Sequence, residues 1–256
     1  MFRILAVSLL LICSAPSVGA GDGARAAGHA AAPRAGPAVV PGSGDGQSFD
    51  LAALLRAYND GVERALACVE SLRVEQVIFE PQSDGSTKRA EAVLSYSRDG
   101  GMEREVGLSE ISHLVGRYTL MSLVGPVIDT AEYEVEYLGL ESKEDRVCHR
   151  LGLTAIVRDA DHFDGTVWVS VEAPGPVRIV GTVADPPFPA VRVTLDKAFL
   201  PGPGGICFVR RHTGEAVVKL LVTRQGTRHI FYDGYEVTLG DDAAVRGGPA
   251  PSRSGS

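Results

Sequence analysis

The sequence predicts an α+β fold in which a strongly curved antiparallel sheet of about eleven strands wraps around one N-terminal amphipathic helix. Three observations carry this. From residue 132 onward the chain is a succession of runs in which apolar and polar residues alternate, and strand side chains point alternately to opposite faces. Tight turns rich in Gly, Pro and Asp separate the runs, and short turns join strands antiparallel. Only Phe49–Leu72 has the three-and-four apolar spacing of a long amphipathic helix. A sheet with one dry face must be covered or closed, and this helix is the one long cover the sequence offers.

The pattern is clearest from His162 to Val183. After Asp164-Gly165, Val167, Val169 and Val171 fall on one side, and Thr166, Trp168 and Ser170 on the other. Pro174-Gly175-Pro176 breaks the run. Val177, Ile179 and Val183 then share a face, opposite Arg178, Val180 and Thr182. Both strands are therefore dry on one side and wetter on the other.

In chain order, Ser48 is a candidate N-cap for the helix. Leu51, Leu55, Tyr58, Val62, Ala65, Val69 and Leu72 form its stripe. Gly61 costs it about 1 kcal/mol. Strands are expected at Val74–Glu80, from Ala90 to Ser97 and at Met102–Val106, joined at Ser83-Asp84-Gly85 and Asp99-Gly100-Gly101. Residues 107–126 suit short helices or a loop closing one mouth of the sheet. Tyr133, Val135 and Tyr137 alternate with glutamates, and Leu151, Leu153, Ala155 and Val157 alternate with Arg150, Gly152, Thr154 and Ile156. Val191, Val193 and Leu195 follow. Ile206–Arg211 and Val217–Arg224 are strands with turns at Thr213-Gly214 and Gln225-Gly226, and Asp233-Gly234 kinks the last run.

The ends differ from this body. Residues 1–20 combine Arg3, an apolar core from Ile4 to Ile12 and a small-residue finish at Val18-Gly19-Ala20. That layout predicts a secretory signal cleaved after Ala20, hence a periplasmic protein. The apolar run is too short for a membrane span. Ile12 before Cys13 argues against lipid attachment there. Residues 21–47 and 241–256 are poor in large side chains, so a flexible tether and a disordered tail are expected around a domain at 48–240.

The chain carries a net charge of −7, and losing Arg3 with the signal makes it one unit more negative. Without a basic patch, nucleic-acid binding and charge-driven adsorption to anionic membranes are not expected. Cys68, Cys148 and Cys207 follow the signal. They allow one disulfide in any of three pairings, or three buried thiols.

Several segments resemble the LolA-like superfamily of periplasmic lipoprotein carriers and outer-membrane lipoprotein-sorting proteins. They are the helix leading into strands, Leu123-Val124-Gly125-Pro126 ahead of Tyr133-Glu134-Val135, and Val147-Cys148-His149-Arg150-Leu151. Gly165-Thr166-Val167-Trp168-Val169 followed by Val177-Arg178-Ile179-Val180-Gly181 completes the set. Together they span most of residues 49–239. The resemblance implies an unclosed β-barrel with helices plugging an apolar cavity that receives acyl chains. Burying each CH₂ is worth about 0.8 kcal/mol, so a carrier needs a dry, openable pocket and no chemistry.

Catalytic signatures are lacking: there is no H-E-x-x-H, G-x-S-x-G, S-x-x-K or phosphate loop. Counted from Asp159 as a calcium loop, the sixth and twelfth residues are Asp164 and Ser170, where glycine and glutamate are required. A solvated hairpin loop fits better. Cys148 and His149 point to opposite faces and cannot share a metal. The expectation is a non-enzymatic binder of a lipid or lipoprotein acyl chain, with no cofactor and no metal. Its candidate cavity is lined by Leu51, Leu55, Tyr58, Val62 and Val69 on the helix, with Val167, Val169, Ile179, Val193 and Leu195 on strands. The same residues could instead form a plain core. In that case an envelope interaction module that binds a partner protein is the alternative. A hydrolase built from residues with no local motif is the third reading.

Overall fold

The computed structural model describes residues 49–106, 119–219 and 223–240. The expected signal, tether and tail, and most of the mouth-closing stretch, lie outside them. The first helix, α1, is Leu51–Cys68, capped by the Asp50 carboxylate, which accepts from the Ala53 amide at 2.9 Å. Its buried face is Leu55, Tyr58, Val62, Ala65 and Cys68. Each large side chain here contributes about 1.5–3 kcal/mol by leaving water.

The helix is shorter than its periodicity predicts, because Val69 and Leu72 belong to the first strand. That strand, β1 (Val69–Pro81), is followed by β2 (Thr87–Ser97), β3 (Gly101–Val106), a short helix α2 (Leu120–Val124), β4 (Tyr133–Lys143) and β5 (Arg146–Ala155). Then come β6 (Phe163–Ser170), β7 (Pro176–Val183), β8 (Ala190–Pro201), β9 (Cys207–Lys219) and β10 (Thr223–Leu239). β1 pairs with β2 on one side and β10 on the other, and a register shift lies between Val69 and Ser71. With that irregularity, Val69, Leu72 and Val74 suit a strand face as well as a helix stripe. Two-sided pairing satisfies the backbone of both neighbours and decides the outcome.

The sheet is antiparallel throughout, with strand order β3-β2-β1-β10-β9-β8-β7-β6-β5-β4. It is open, its edges being β3 and β4. Among the described residues there are ten strands rather than about eleven, because two predicted turns lie within strands. Thr213-Gly214 is paired on both sides, to Asp196-Leu195 of β8 and to His229-Arg228 of β10. Gln225-Gly226 likewise pairs with Val217-Ala216, and the chain reverses between Lys219 and Thr223. At Asp233-Gly234 the strand does kink, with a register shift opposite Arg73/Glu75.

One face of the sheet, here the inner face, packs on α1. A single apolar cluster joins Tyr58 and Val62 to Leu72, Leu94, Leu151, Val167, Ile179, Val209 and Ile230. Irregularities move three predicted dry-face residues. A shift between Trp168 and Val169 sends Val177 to the outer face, where it packs with Cys148 and Trp168. A shift between Ala190 and Arg192 leaves Val191 exposed. Val171 lies beyond the end of β6 and is exposed. Cys68, Cys148 and Cys207 are free thiols.

Candidate functional site

The inner face brings most of the candidate cavity residues together. Leu55, Tyr58 and Val62 on α1 and Val167, Val169 and Ile179 on β6 and β7 are buried in one cluster, with Leu51 packed against it. Val69 is in that cluster too, but from β1 and not from the helix. Val193 is elsewhere. It belongs to a second cluster with Val183, Ala190 and Ala216, and Leu195 touches both groups.

Polar contacts set the depth of α1. The Tyr58 hydroxyl donates to the Pro126 carbonyl at 2.9 Å, and burial pushes its pKa well up. Asn59 makes a two-way contact with Ile128, donating to its carbonyl at 2.8 Å and accepting from its amide at 2.9 Å. The helix is thereby fixed to the segment that follows α2.

The sheet register places charge where the sequence suggested only core. One row of cross-strand partners runs Leu151, Val167, Ile179, Lys197, His212, Ile230, Ile78 and Ala90. Lys197 and His212 sit side by side in it, with apolar neighbours on both flanks. Arg228 is two residues from Ile230 on the same face and pairs with Glu80 of β1 at 2.7 Å, both ends of that ion pair nearly buried. Gln76, two residues before Ile78, is 1% exposed, and neither of its amide atoms has a hydrogen-bond partner among the described residues. Buried amides are rarely left so.

These groups perturb one another. Lys197 keeps part of its surface exposed, but its ammonium lies deep and donates to the Ser122 carbonyl of α2 at 3.1 Å. Desolvation lowers its pKa to about 8. Burial, then the nearby Lys197 and Arg228 cations, hold His212 down at about 3, so it is neutral. Nearby carboxylates are spent on the outer face: Asp196 pairs with Arg178 at 2.6 Å and Glu215 with Arg192 at 3.2 Å. Period-two extrapolation could have found this belt, since Lys197 continues Val193 and Leu195, and Arg228 precedes Ile230 by two. A lysine or arginine in an alternating run ordinarily marks where the core stops, and this masks the signal.

The neighbouring row has glycine at three of its six positions. It runs Leu153, Gly165, Gly181, Leu195, Gly214 and Arg228. A Cβ on Gly165 would lie 2.2 Å from the Val180 carbonyl oxygen, and one on Gly181 would lie 2.7 Å from the Asp164 carbonyl oxygen. Glycine is needed there because the two backbones approach too closely for any side chain. The Phe163 ring fills the space above Gly181, 2.6 Å from that Cβ position. The Lys197–His212 row lies on one side of this row, and the Val183, Val193 and Ala216 cluster on the other.

The loops at one end of the sheet hold a second polar cluster. Asp159 accepts from the Asp161 and His162 amides and from His162 Nδ1 at 2.6 Å, while His162 Nε2 lies 3.4 Å from Glu132. This is a self-satisfied turn of the kind expected for residues 159–165. Beside it, Phe188 is 83% exposed on the rim of a recess of about 530 Å³ that also includes Asp159, Asp185 and Lys219.

No family model and no curated protein matches the sequence. Solved structures do. The chain is similar to a LolA superfamily protein from Nitrosomonas europaea, with 15% identity, a TM-score of 0.38 and coverage of 72% of this chain and 95% of that one. It is also similar to a DUF1329 family protein from Desulfovibrio piger, with 11% identity, a TM-score of 0.43 and coverage of 73% and 94%. A third is the Pseudomonas aeruginosa MucA/MucB complex, with 10% identity, a TM-score of 0.25 and coverage of 76% and 95%.

Proposed function

We propose that this chain is a periplasmic, non-enzymatic binding protein whose sheet curls around α1 and holds the acyl chain of a lipid or lipoprotein on its inner face. In this reading residues 1–20 are a cleaved signal, 21–47 a tether, 48–240 the binding domain and 241–256 a tail. The supporting observation is the division of the inner face. All the buried helix residues in the apolar clusters belong to the first, and among the described residues none joins Val183, Ala190, Val193 and Ala216. Part of the apolar inner face is thus buried without α1, and the part-buried Leu195, which touches both clusters, offers a hydrocarbon chain apolar surface to cover. In this reading Leu55, Tyr58, Val62, Val69, Val167, Val169 and Ile179 form the wall behind, the part-buried Leu51 and Leu195 meet the chain, and the buried Val193 lies behind Leu195 in the second cluster.

The test is native mass spectrometry of the mature protein taken from its envelope, before and after organic extraction. The expected result is a discrete lipid or acylated peptide that leaves on extraction. Protein that carries no adduct and takes up no added long-chain lipid overturns the proposal. A second reading, docking of an envelope protein, is favoured by one observation, the exposed Phe188 beside its recess. It predicts that Phe188→Ser abolishes capture of that partner while lipid uptake stays unchanged.

A further inference from the structure

The open sheet has two edges, and they are built differently. β3 is six residues long, none of them buried, and it carries Glu103, Arg104 and Glu105 in succession. A short, charged edge of this kind resists strand addition. β4 is eleven residues long and has β5 as its one strand partner. Its first part, Tyr133–Tyr137, is in unbroken register with β5 from Ala155 back to Leu151. A register shift follows, and Gly139 adopts a φ of +98°, so the regular stretch ends there.

Two hydrogen bonds fix where the backbone groups of this stretch point. The Ile156 amide donates to the Glu132 carbonyl at 2.8 Å, and the Val171 amide donates to the Val147 carbonyl at 3.1 Å. Bonded and non-bonded positions alternate along an antiparallel pair. β5 therefore bonds to β6 through Leu151 and Leu153, and to β4 through Gly152 and Thr154, the partners of Glu136 and Glu134. Val135 and Tyr137 turn their N–H and C=O groups away from β5. Tyr133 does so too, but its amide donates to the Asp129 carbonyl at 2.9 Å. Among the described residues nothing pairs with the outward groups of Val135 and Tyr137.

The two sides of this edge differ in chemistry. Tyr133, Val135 and Tyr137 belong to the apolar inner face, and Phe49, 40% exposed, stacks on Tyr137 with ring centroids 3.7 Å apart. Glu134 and Glu136 are exposed on the outer face, and neither is in an ion pair among the described residues. Their partners on β5, Thr154 and Gly152, carry no charge. An added strand would lay every second residue beside Val135, Tyr137 and Phe49, and the others beside the two carboxylates. A second copy of β4 in that place would set glutamates beside glutamates, so charge complementarity favours a basic segment of another protein.

We propose that Tyr133–Tyr137 is a docking edge for an extended segment of a partner protein in which apolar residues alternate with lysine or arginine. The segment joins the sheet as an antiparallel strand beside β4. Its backbone bonds to Val135 and Tyr137, its apolar side chains lie against Tyr137 and Phe49, and its basic ones meet Glu134 and Glu136. Main-chain bonding supplies the affinity, and the glutamates supply the selectivity. The proposal goes beyond the acyl-chain reading and is independent of it, and it makes no use of Phe188.

The experiment is fluorescence anisotropy of two labelled heptapeptides, K-V-K-V-K-V-K and E-V-E-V-E-V-E, titrated with the purified chain. The basic peptide is expected to bind about 10-fold or more tightly than the acidic one. N-methylating its valines, whose amides meet β4, should cost about 10-fold or more with the charge unchanged. Glu134→Lys combined with Glu136→Lys should reverse the preference. Val135→Pro removes an outward amide and no bond to β5, so the chain should stay folded and lose the peptide. Equal binding of the two peptides overturns the proposal, and so does failure of both. Undiminished binding after valine methylation, or by a folded Val135→Pro, reduces the contact to charge adsorption and overturns it as well. Self-association of the native chain that Val135→Pro removes gives the edge to a second copy and overturns the basic partner. None of these outcomes bears on the lipid-adduct test of the acyl-chain reading.

Discussion

Two histidines mark two differently built polar regions of this molecule. At the end of the sheet His162 lies between Asp159 and Glu132. Burial alone would lower its pKa, but the two carboxylates outweigh it and raise the pKa. On the inner face, burial is joined by Lys197 and Arg228, and His212 is pushed down to about 3. The loop region closes its charges locally and needs nothing more. The inner belt pairs Arg228 with Glu80 but gives the deep Lys197 ammonium only a neutral carbonyl, an arrangement that costs stability. The sign of the nearest charge, not burial alone, separates the two.

The largest expected effect is in the belt. Glu80→Gln removes the carboxylate facing Arg228 and should destabilise by about 3–5 kcal/mol in urea unfolding. A loss below about 1 kcal/mol would mean the belt is as solvated as the loop, and the contrast would fail.

The two histidines should next give opposite pH dependences. His212 has a folded pKa near 3 against about 6.5 unfolded, so the unfolded chain binds the extra proton between those values. Its contribution to stability is present above pH 6.5 and is lost as pH falls toward 3, with a slope approaching about 1.4 kcal/mol per pH unit. His162 has the reverse sign. With its folded pKa raised, its contribution is full below about 6.5 and is lost as pH rises through the folded value. Urea midpoints against pH for His212→Leu and His162→Leu should each flatten one limb. If both variants alter the same limb, the charge argument is wrong.

Lys197→Met should raise stability at neutral pH by about 1–3 kcal/mol, since a poorly compensated buried ammonium is replaced by a side chain of similar volume. The native chain should also gain stability between pH 8 and about 10.5, where the unfolded lysine still holds a proton that the folded one has released. That alkaline rise should be absent from the variant. The smallest effect belongs to the loop. Asp159→Asn, at a partly exposed site, keeps much of the turn and should cost under about 1 kcal/mol. A larger loss would show that the loop cluster anchors the sheet end.

Much of the fold is legible in the sequence. Alternation locates most strands, because most are dry on one face; β3, with no buried residue, is placed by the Asp99-Gly100-Gly101 turn instead. Boundaries were read less well where local signals competed with pairing. Thr213-Gly214 is a good turn dipeptide, but both its backbones are claimed by neighbouring strands. Val69 and Leu72 fit the helix stripe by chance of spacing, and β2 and β10 drew them into β1. Of the candidate apolar residues, those on α1, β6 and β7 meet in one buried cluster, with Leu51 packed against it. The charged members were passed over because a lysine or arginine in an alternating run reads as the point where the core stops.

The sequence by itself determined the antiparallel architecture, the single long helix and the apolar face they share. These follow from periodicity, turn chemistry and the lack of other amphipathic cover, all of which are local. Only the tertiary structure decided that Lys197, His212 and Arg228 surround Gly214, and that Val193 lies apart from Val167 and Ile179. Those facts depend on register between strands far apart in the chain. One residue of slip would send every one of those side chains to the opposite face.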